Sequence, residues 1–310
     1  MKKHIYIYSP SGAVRDKTAF KRGVARLKTL GHEVEIDPDA LSSHERFAGD
    51  DASRLLAVHR AAASGADVAL TTRGGYGLTR ILDQIRYKAL EKAIASGMEF
   101  VGFSDFTALQ FALLAKTGSV TWAGPALCEG FGPAAGPDDI MEDCFNDMLV
   151  GQGEGTGWRQ LKEPAVSDGS EFQALNARLW GGNLSMVSAL LGTPFFPKVK
   201  GGILFLEDVG EHPYRIERML LQLLHAGVID KQKAVLLGQF TEFSLTPHDR
   251  GYRLQSVIQW LRSQTKTPVL TNLPFGHVQT KVLLPVGAKA DLAVDGRDAL
   301  LVWGHTRHTH

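Results

Sequence analysis

The sequence predicts an α/β fold, with a parallel sheet built by the first half of the chain and a smaller mixed α/β unit built by the second. Three observations carry that expectation. Apolar strand-like runs alternate with helically spaced stretches through about residue 115, a glycine-rich segment without apolar periodicity follows at 151–170, and shorter strand candidates dominate beyond it. Strands that alternate with helices make parallel sheets covered on both faces.

Residues 5–8 read as a strand that ends in the turn Ser9-Pro10-Ser11-Gly12. Residues 15–30 have helical spacing, 32–36 begin an extended run, and 51–64 read as a helix. A short buried strand at 66–70 runs into Thr71-Thr72-Arg73-Gly74-Gly75-Tyr76-Gly77. After a further helix come a strand at 99–103 and an apolar-periodic helix at 106–115. Ligands bind such sheets beyond the carboxyl ends of their strands. Segment 151–170, with Gly151, Gly153, Gly155 and Gly157, reads as a linker or edge between domains. The second half offers strands at 202–206, 234–240 and 292–294, and an amphipathic helix at 214–225 whose stripe Ile216, Met219, Leu220, Leu223, Leu224 is core packing.

The bulk numbers exclude several function classes. A net charge of +1 over 310 residues gives no field for nucleic acid or an anionic membrane. Two cysteines, Cys128 and Cys144, make neither a disulfide framework nor a metal pair. The basic start Met1-Lys2-Lys3-His4 is followed by an apolar run too short for a signal peptide, and no segment approaches the ~20 apolar residues of a membrane span. The expected location is the cytoplasm. His305, His308 and His310 have a spacing that invites metal capture, but they lie at the chain end, where a solvated tail is expected. No metal is expected.

Candidate chemistry begins at Val101-Gly102-Phe103-Ser104-Asp105-Phe106, which joins a strand directly to a helix. A serine on such a turn projects its hydroxyl, and the N–H groups of the helix start can stabilise an oxyanion. The pattern approximates the nucleophile elbow, with Phe106 where its last glycine belongs. Ser104 as a simple helix N-cap, in competition with Asp105 and Thr107, is the alternative reading. A serine nucleophile needs an imidazole base and a carboxylate to fix the imidazole's tautomer. Glu207-Asp208 at the end of the strand 203–206, and His277 after Leu273-Pro274-Phe275-Gly276, offer these groups.

Taken in order, Ser9-Pro10-Ser11-Gly12, Arg73-Gly74-Gly75-Tyr76-Gly77, Gly102-Phe103-Ser104-Asp105, Trp122-Ala123-Gly124-Pro125, Trp180-Gly181-Gly182-Asn183-Leu184-Ser185, Phe205-Leu206-Glu207-Asp208 with His212-Pro213-Tyr214-Arg215, and Gly276-His277 form a set of motifs. The set resembles that of the LD-carboxypeptidases, a peptidase family that includes the microcin-immunity peptidases. The resemblance implies Ser104 as nucleophile, Glu207 as orienting acid and His277 as base. It implies a two-domain α/β fold: a Rossmann/flavodoxin-like N-terminal domain at 1–150 carrying the nucleophile, a linker at 151–170, and a C-terminal domain at 171–310 carrying the acid and the histidine. It further implies a homodimer, no cofactor, and release of D-alanine from a peptidoglycan tetrapeptide after meso-diaminopimelate or lysine. The stretch 207–215 looks more like the muropeptide-recycling branch than the microcin-immunity branch, which cleaves aminoacyl-nucleotide analogues.

The glycine loop 73–77 fits neither a dinucleotide fingerprint nor a P-loop. Its closer reading is an oxyanion hole made by backbone N–H groups of Gly75 and Asp105. Arg73, Tyr76 and Asn183 are the candidate substrate contacts, Arg73 through its bidentate fork to a carboxylate. For Asn183 the sequence favours a cap of the following helix over a substrate contact. A catalytically silent two-lobed binding protein is the rival from another class, and the serine, acid and histidine set weighs against it. Because no clustered ligands have metal spacing, activity is expected to survive exhaustive chelation by EDTA. Loss of activity under chelation, with restoration by zinc, would overturn the metal-free expectation.

Overall fold

The computed structural model describes residues 1–162 and 171–304, so His305, His308, His310 and the end of the segment 151–170 lie outside the described residues. The first sheet contains β1 (His4–Tyr8), β2 (Glu33–Ile36), β3 (Val68–Thr71), β4 (Glu99–Gly102) and β5 (Thr121–Ala123). The second draws on β6 (Gly155–Arg159), β7 (Glu171–Asn183), β8 (Ile203–Val209), β9 (Ala234–Thr241) and β10 (Val269–Leu270). Next along the chain, β11 (Leu284–Val286) returns to the first sheet, while β12 (Lys289–Asp295) and β13 (Asp298–Val302) complete the second.

In the first sheet the order is β11-β5-β4-β3-β1-β2, parallel except for β11, which runs antiparallel to β5. Every residue of β3 is buried, as expected for a strand covered on both faces. The order reverses between β1 and β3, so the loops that follow them diverge around a crevice at the carboxyl ends. Those loops are Ser9–Gly12 and the glycine loop, and they are tied together where the Gly12 N–H donates to the Gly74 carbonyl at 3.2 Å.

The second sheet has the order β10-β9-β8-β7-β12-β13-β6. Its first four strands are parallel, and the rest are antiparallel. The two patterns meet on β7, whose carboxyl half pairs with β8 and whose amino half pairs with β12. The fold is therefore α/β in two units, with a parallel sheet first and a mixed sheet second. Two details differ from the sequence reading. Gly155–Arg159, within the expected linker, is an edge strand paired with β13, where Trp158 donates from Nε1 to the Thr271 carbonyl at 3.0 Å. Strand β8 also runs on through Glu207 and Asp208 instead of stopping before them.

The helices are α1 (Lys17–Thr29), α2 (Asp51–Ala63), α3 (Tyr87–Ala95), α4 (Thr107–Thr117), α5 (Asp139–Val150), α6 (Leu184–Leu190), α7 (Pro213–His225) and α8 (Leu254–Gln264). Residues 107–114 of α4 are all buried, which explains a sequence apolar on every side. This helix lies where the two sheets meet. Phe111 packs against Trp180 of β7 at 5.5 Å and against Phe196 at 5.7 Å between ring centroids.

One ion cluster fastens the loop after β2 to the first sheet. The fully buried Asp37 accepts from Tyr6 Oη at 2.7 Å and from Arg60 Nε and Nη2 at 2.7 and 2.8 Å. Burial alone would raise the Asp37 carboxyl, but the bonds from Arg60 and Tyr6 outweigh it and hold the group below its ordinary range. Removing the Asp37 charge weakens its bonds to Tyr6 and Arg60, while Arg60, 32% exposed, keeps Asp39, so the cost is about 1–3 kcal/mol. Asp37→Asn is therefore expected to lose roughly that much stability at neutral pH. A depressed carboxyl contributes fully above its unfolded pKa of about 4 and loses its contribution as pH falls through the folded value. The gap between wild type and variant in chemical denaturation should accordingly narrow below about pH 4; a gap that is constant with pH would remove the charge from the account.

Candidate active site

Strand β4 ends at Gly102, and the chain turns sharply at Ser104, whose φ is +64°. A left-handed backbone at a residue with a Cβ costs about 1 to 3 kcal/mol and persists only where the surroundings over-determine it. The surroundings are two glycines and a helix. A Cβ on Gly102 would lie 2.6 Å from Thr71 Oγ1 and 2.9 Å from the Phe106 ring. Phe106 thus fills the space left by Gly102, which is how a large side chain replaces the final glycine of the elbow. A Cβ on Gly74 would lie 2.6 Å from Ser104 Cβ and 2.7 Å from its Oγ. On its far side Ser104 opens a short 3₁₀ turn, Ser104–Phe106, that leads into the buried α4.

The glycine loop is clamped to this turn from below. The buried Asp105 carboxylate accepts from the Leu78 N–H at 3.0 Å, and burial pushes its carboxyl up. Arg54, fully buried, donates to the Pro10 carbonyl at 3.2 Å, binds Asp51 and lies over the Phe47 ring at 4.9 Å. Gly75 and Gly77 have φ of +111° and +143°, which only glycine adopts freely. Among the described residues, no acceptor meets the backbone N–H of Gly75 or of Asp105.

From the second sheet, Glu207 enters at a register shift between β8 and β9 at Leu206/Asp208. Such a bulge re-aims side chains, and here both consecutive acids are buried. Glu207 Oε2 lies 2.7 Å from His277 Nδ1, and Oε1 accepts from Asn183 Nδ2 at 3.2 Å. With Glu207 as the acceptor, the Nδ1–H tautomer of His277 leaves Nε2 free to act as a base. Gly276 allows the approach: a Cβ there would lie 3.3 Å from Glu207 Cβ and 2.9 Å from the Gln239 carbonyl. Asp208 does not touch His277. It accepts from Ser185 N and Oγ and from Asn183 Nδ2 at 2.9, 2.7 and 2.9 Å, and burial raises its carboxyl.

The two halves meet at Phe103, the residue before Ser104, whose ring lies 4.8 Å from the His277 ring. No hydrogen bond joins Ser104 Oγ to His277 Nε2 in this structure. Candidate nucleophile and candidate base are separate groups, brought together through Phe103.

The remaining sequence candidates fall at different depths. Arg73 lies beside Gly75, with Nε 3.8 Å from Glu129 Oε1, and burial lowers its guanidinium pKa. Tyr76 is exposed at the rim, 5.9 Å from the Phe47 ring. Asn183 is only 5% exposed and its amide is committed to protein. It caps α6 by accepting from the Met186 N–H at 3.2 Å and donates to Glu207 and Asp208. Its observed contacts support the acid instead of opening toward a ligand. Two residues beside the site escaped the sequence reading, Glu129 and Lys281, while Gly74 was read only as part of the glycine loop. Glu129 is 40% exposed yet closely surrounded, the condition of a cleft wall, and burial raises its carboxyl against the opposing pull of Arg73. Among the described residues no group of three or more His, Cys, Asp or Glu side chains is placed to hold a metal ion. No helix among them is long and apolar enough to cross a membrane.

Family models for the LD-carboxypeptidase N-terminal domain and C-terminal domain match residues 5–124 and 176–292. A Streptomyces coelicolor protein named as a carboxypeptidase is 33% identical over 94% of this chain and 90% of its own length. A Bacillus subtilis protein named as a murein peptide carboxypeptidase is 29% identical over 90% of this chain and 85% of its own. Among solved structures, the muramoyltetrapeptide carboxypeptidase from Oxalobacter formigenes superposes with a TM-score of 0.86 at 39% identity, covering 97% of this chain and 98% of that one.

Glu207→Gln tests the arrangement most sharply, because it keeps shape and deletes one charge. Its amide can donate to Nδ1 and so favour the tautomer that blocks Nε2, and the equivalent change in a serine protease costs about 10⁴ in kcat. We expect kcat for peptide hydrolysis to fall at least about a hundredfold, with KM nearly unchanged and the protein folded. Near-wild-type kcat in a folded variant would remove Glu207 from the chemistry.

Proposed function

The chain belongs to the LD-carboxypeptidase family, and from that premise we propose that it is a serine-type carboxypeptidase that releases the terminal D-alanine from peptidoglycan tetrapeptides. The observation that carries the reading is the His277 Nδ1 to Glu207 bond of 2.7 Å, which leaves Nε2 free beside the Phe103-Ser104 turn. The serine type, the D-alanine leaving group, a cytoplasmic role in murein recycling and a homodimeric assembly are all parts of the proposal.

In this scheme His277 Nε2 removes the Ser104 proton as Oγ attacks the carbonyl carbon of the residue before D-alanine. Oγ and Nε2 are not bonded in this structure, and hydrogen bonds of this kind often tighten only in the substrate complex. Negative charge that develops on the carbonyl oxygen is met by the N–H groups of Gly75 and Asp105, which no protein acceptor occupies among the described residues. The imidazolium, stabilised by Glu207, then hands its proton to the leaving nitrogen of D-alanine. Water attacks the acyl-enzyme by the same route in reverse and regenerates Ser104. Glu207 is held in place by Asn183 and His277. Arg73 and Tyr76 are the proposed substrate contacts at the loop side, and Asn183 acts on substrate only through Glu207.

The scissile bond joins an L-centre to a D-residue, so its leaving-side pocket is fitted to the mirror arrangement of an ordinary peptidase's. One misplaced methyl in a fitted pocket is worth ~1–3 kcal/mol. A tetrapeptide ending in D-Ala is expected to be cleaved at least about tenfold faster in kcat/KM than its L-Ala counterpart. Equal values for the two would reject the specificity, and cleavage of an aminoacyl-nucleotide analogue in preference to both would move the chain to the immunity branch.

A further inference from the structure

Lys281 has a buried stem and an ammonium with neither ion-pair nor hydrogen-bond partner among the described residues. It is 3% exposed, and among the described residues no carboxylate oxygen lies within 4.0 Å of its Nζ and no hydrogen bond satisfies it. Lys3, the other buried lysine among those residues, has its counterion in Asp67 at 3.4 Å. An ammonium largely withdrawn from water without a counterion carries a desolvation cost. The nearest compensation is the Phe103 ring, whose centroid lies 4.6 Å from Nζ. A cation over an aromatic face recovers part of that cost without supplying a counter-charge. Consistent with that deficit, burial lowers the Lys281 pKa, and Glu129, Glu207 and Asp138 oppose the shift only through space.

The location gives the charge a purpose. Lys281 follows His277 by four residues in one loop, closed where the Val282 N–H donates to the Pro274 carbonyl at 2.9 Å. Its ammonium and the His277 imidazole both lie against the Phe103 ring, next to Ser104. A carboxypeptidase must recognise a free carboxylate, and in the released residue that group sits two bonds beyond the nitrogen that His277 protonates. Arg73 is less suited to it, because it already faces Glu129 at 3.8 Å and packs beside Gly75 on the oxyanion side. We propose that Lys281 is the binding cation for the C-terminal carboxylate of the substrate, so that the peptide supplies the counterion the protein lacks. This rests on the carboxypeptidase reading above.

Calorimetry on the full-length Ser104→Ala protein separates binding from turnover. The probes are the tetrapeptide ending in D-Ala and the same peptide as its C-terminal amide. Charge-assisted bonds of this kind are worth ~1.5–3 kcal/mol, so the acid is expected to bind at least about tenfold tighter than the amide. Lys281→Met on that background should weaken the acid to the level of the amide and leave the amide unchanged, and Arg73→Met should preserve the ratio. A second measurement leaves position 281 intact: in lysine-labelled Ser104→Ala protein, the Lys281 Cε resonance should move on adding the acid and not on adding the amide. A folded Lys281→Met protein with an unchanged ratio, a ratio abolished by Arg73→Met instead, or a Lys281 resonance blind to the acid overturns the proposal while leaving the carboxypeptidase reading intact. Failure of the Ser104→Ala protein to bind either peptide overturns both.

Discussion

A carboxylate with no access to water constrains the rest of this molecule. Glu207 sits inside β8 and is fully buried, and a buried charge is tolerable only when its oxygens are hydrogen-bonded. Its partners come from two directions. Asn183, at the end of β7, reaches one oxygen, and His277, in the loop beyond β10, reaches the other. Neither arrives without backbone concessions. The bulge at Leu206/Asp208 turns the acid inward, Gly276 lets the histidine loop lie against it, and Asp208 locks Asn183 and Ser185 in place beside it. The same burial that makes the carboxylate expensive makes it effective, because a charge in a low dielectric holds an imidazolium more strongly than one in water.

Much of the first sheet was legible, because a parallel sheet buried on both faces writes itself as apolar runs divided by helical spacing. The elbow, the glycine loop and the histidine loop fell at strand ends where the chain pattern put them. Residues whose role depends on the other sheet were less legible. Two consecutive acids look like a solvated strand terminus, and the donors that make burying them feasible come from Asn183, Ser185, Val209 and His277. Gly155–Arg159 looks like a linker because its glycines carry no apolar signal, and its pairing to β13 spans well over a hundred residues of sequence. Lys281 stayed invisible for a related reason: a lysine in a polar stretch reads as exposed until the Phe103 ring is seen beneath it.

Phe106 shows how a motif's chemistry outlasts its letters. The final glycine of an elbow exists to let helix and strand pack closely, and here that space is made by Gly102 and filled by the Phe106 ring. Gly74 does the complementary task from the neighbouring loop, since no side chain fits between it and Ser104. The strained φ of Ser104 is thus held by contacts with β3, β4 and α4, and not by its own preference.

The candidate nucleophile and candidate base are supplied by different sheets, so the site exists only where those sheets dock. The docking contacts are specific. The Asn183 N–H donates to Thr107 Oγ1 at 3.1 Å, linking the residue that supports Glu207 to the helix that begins three residues after Ser104. Gly182, at φ +143°, keeps that approach open. Strand β11 carries the chain back from the His277 loop to pair with β5 of the first sheet, with Leu284 opposite Ala123. The histidine loop is therefore tethered at both ends, by β10 in one sheet and β11 in the other. A shift of one sheet against the other changes the distance between Ser104 and His277 directly, while the Glu207–His277 pair travels as a unit. Positioning errors of about 1 Å can cost a hundredfold in rate.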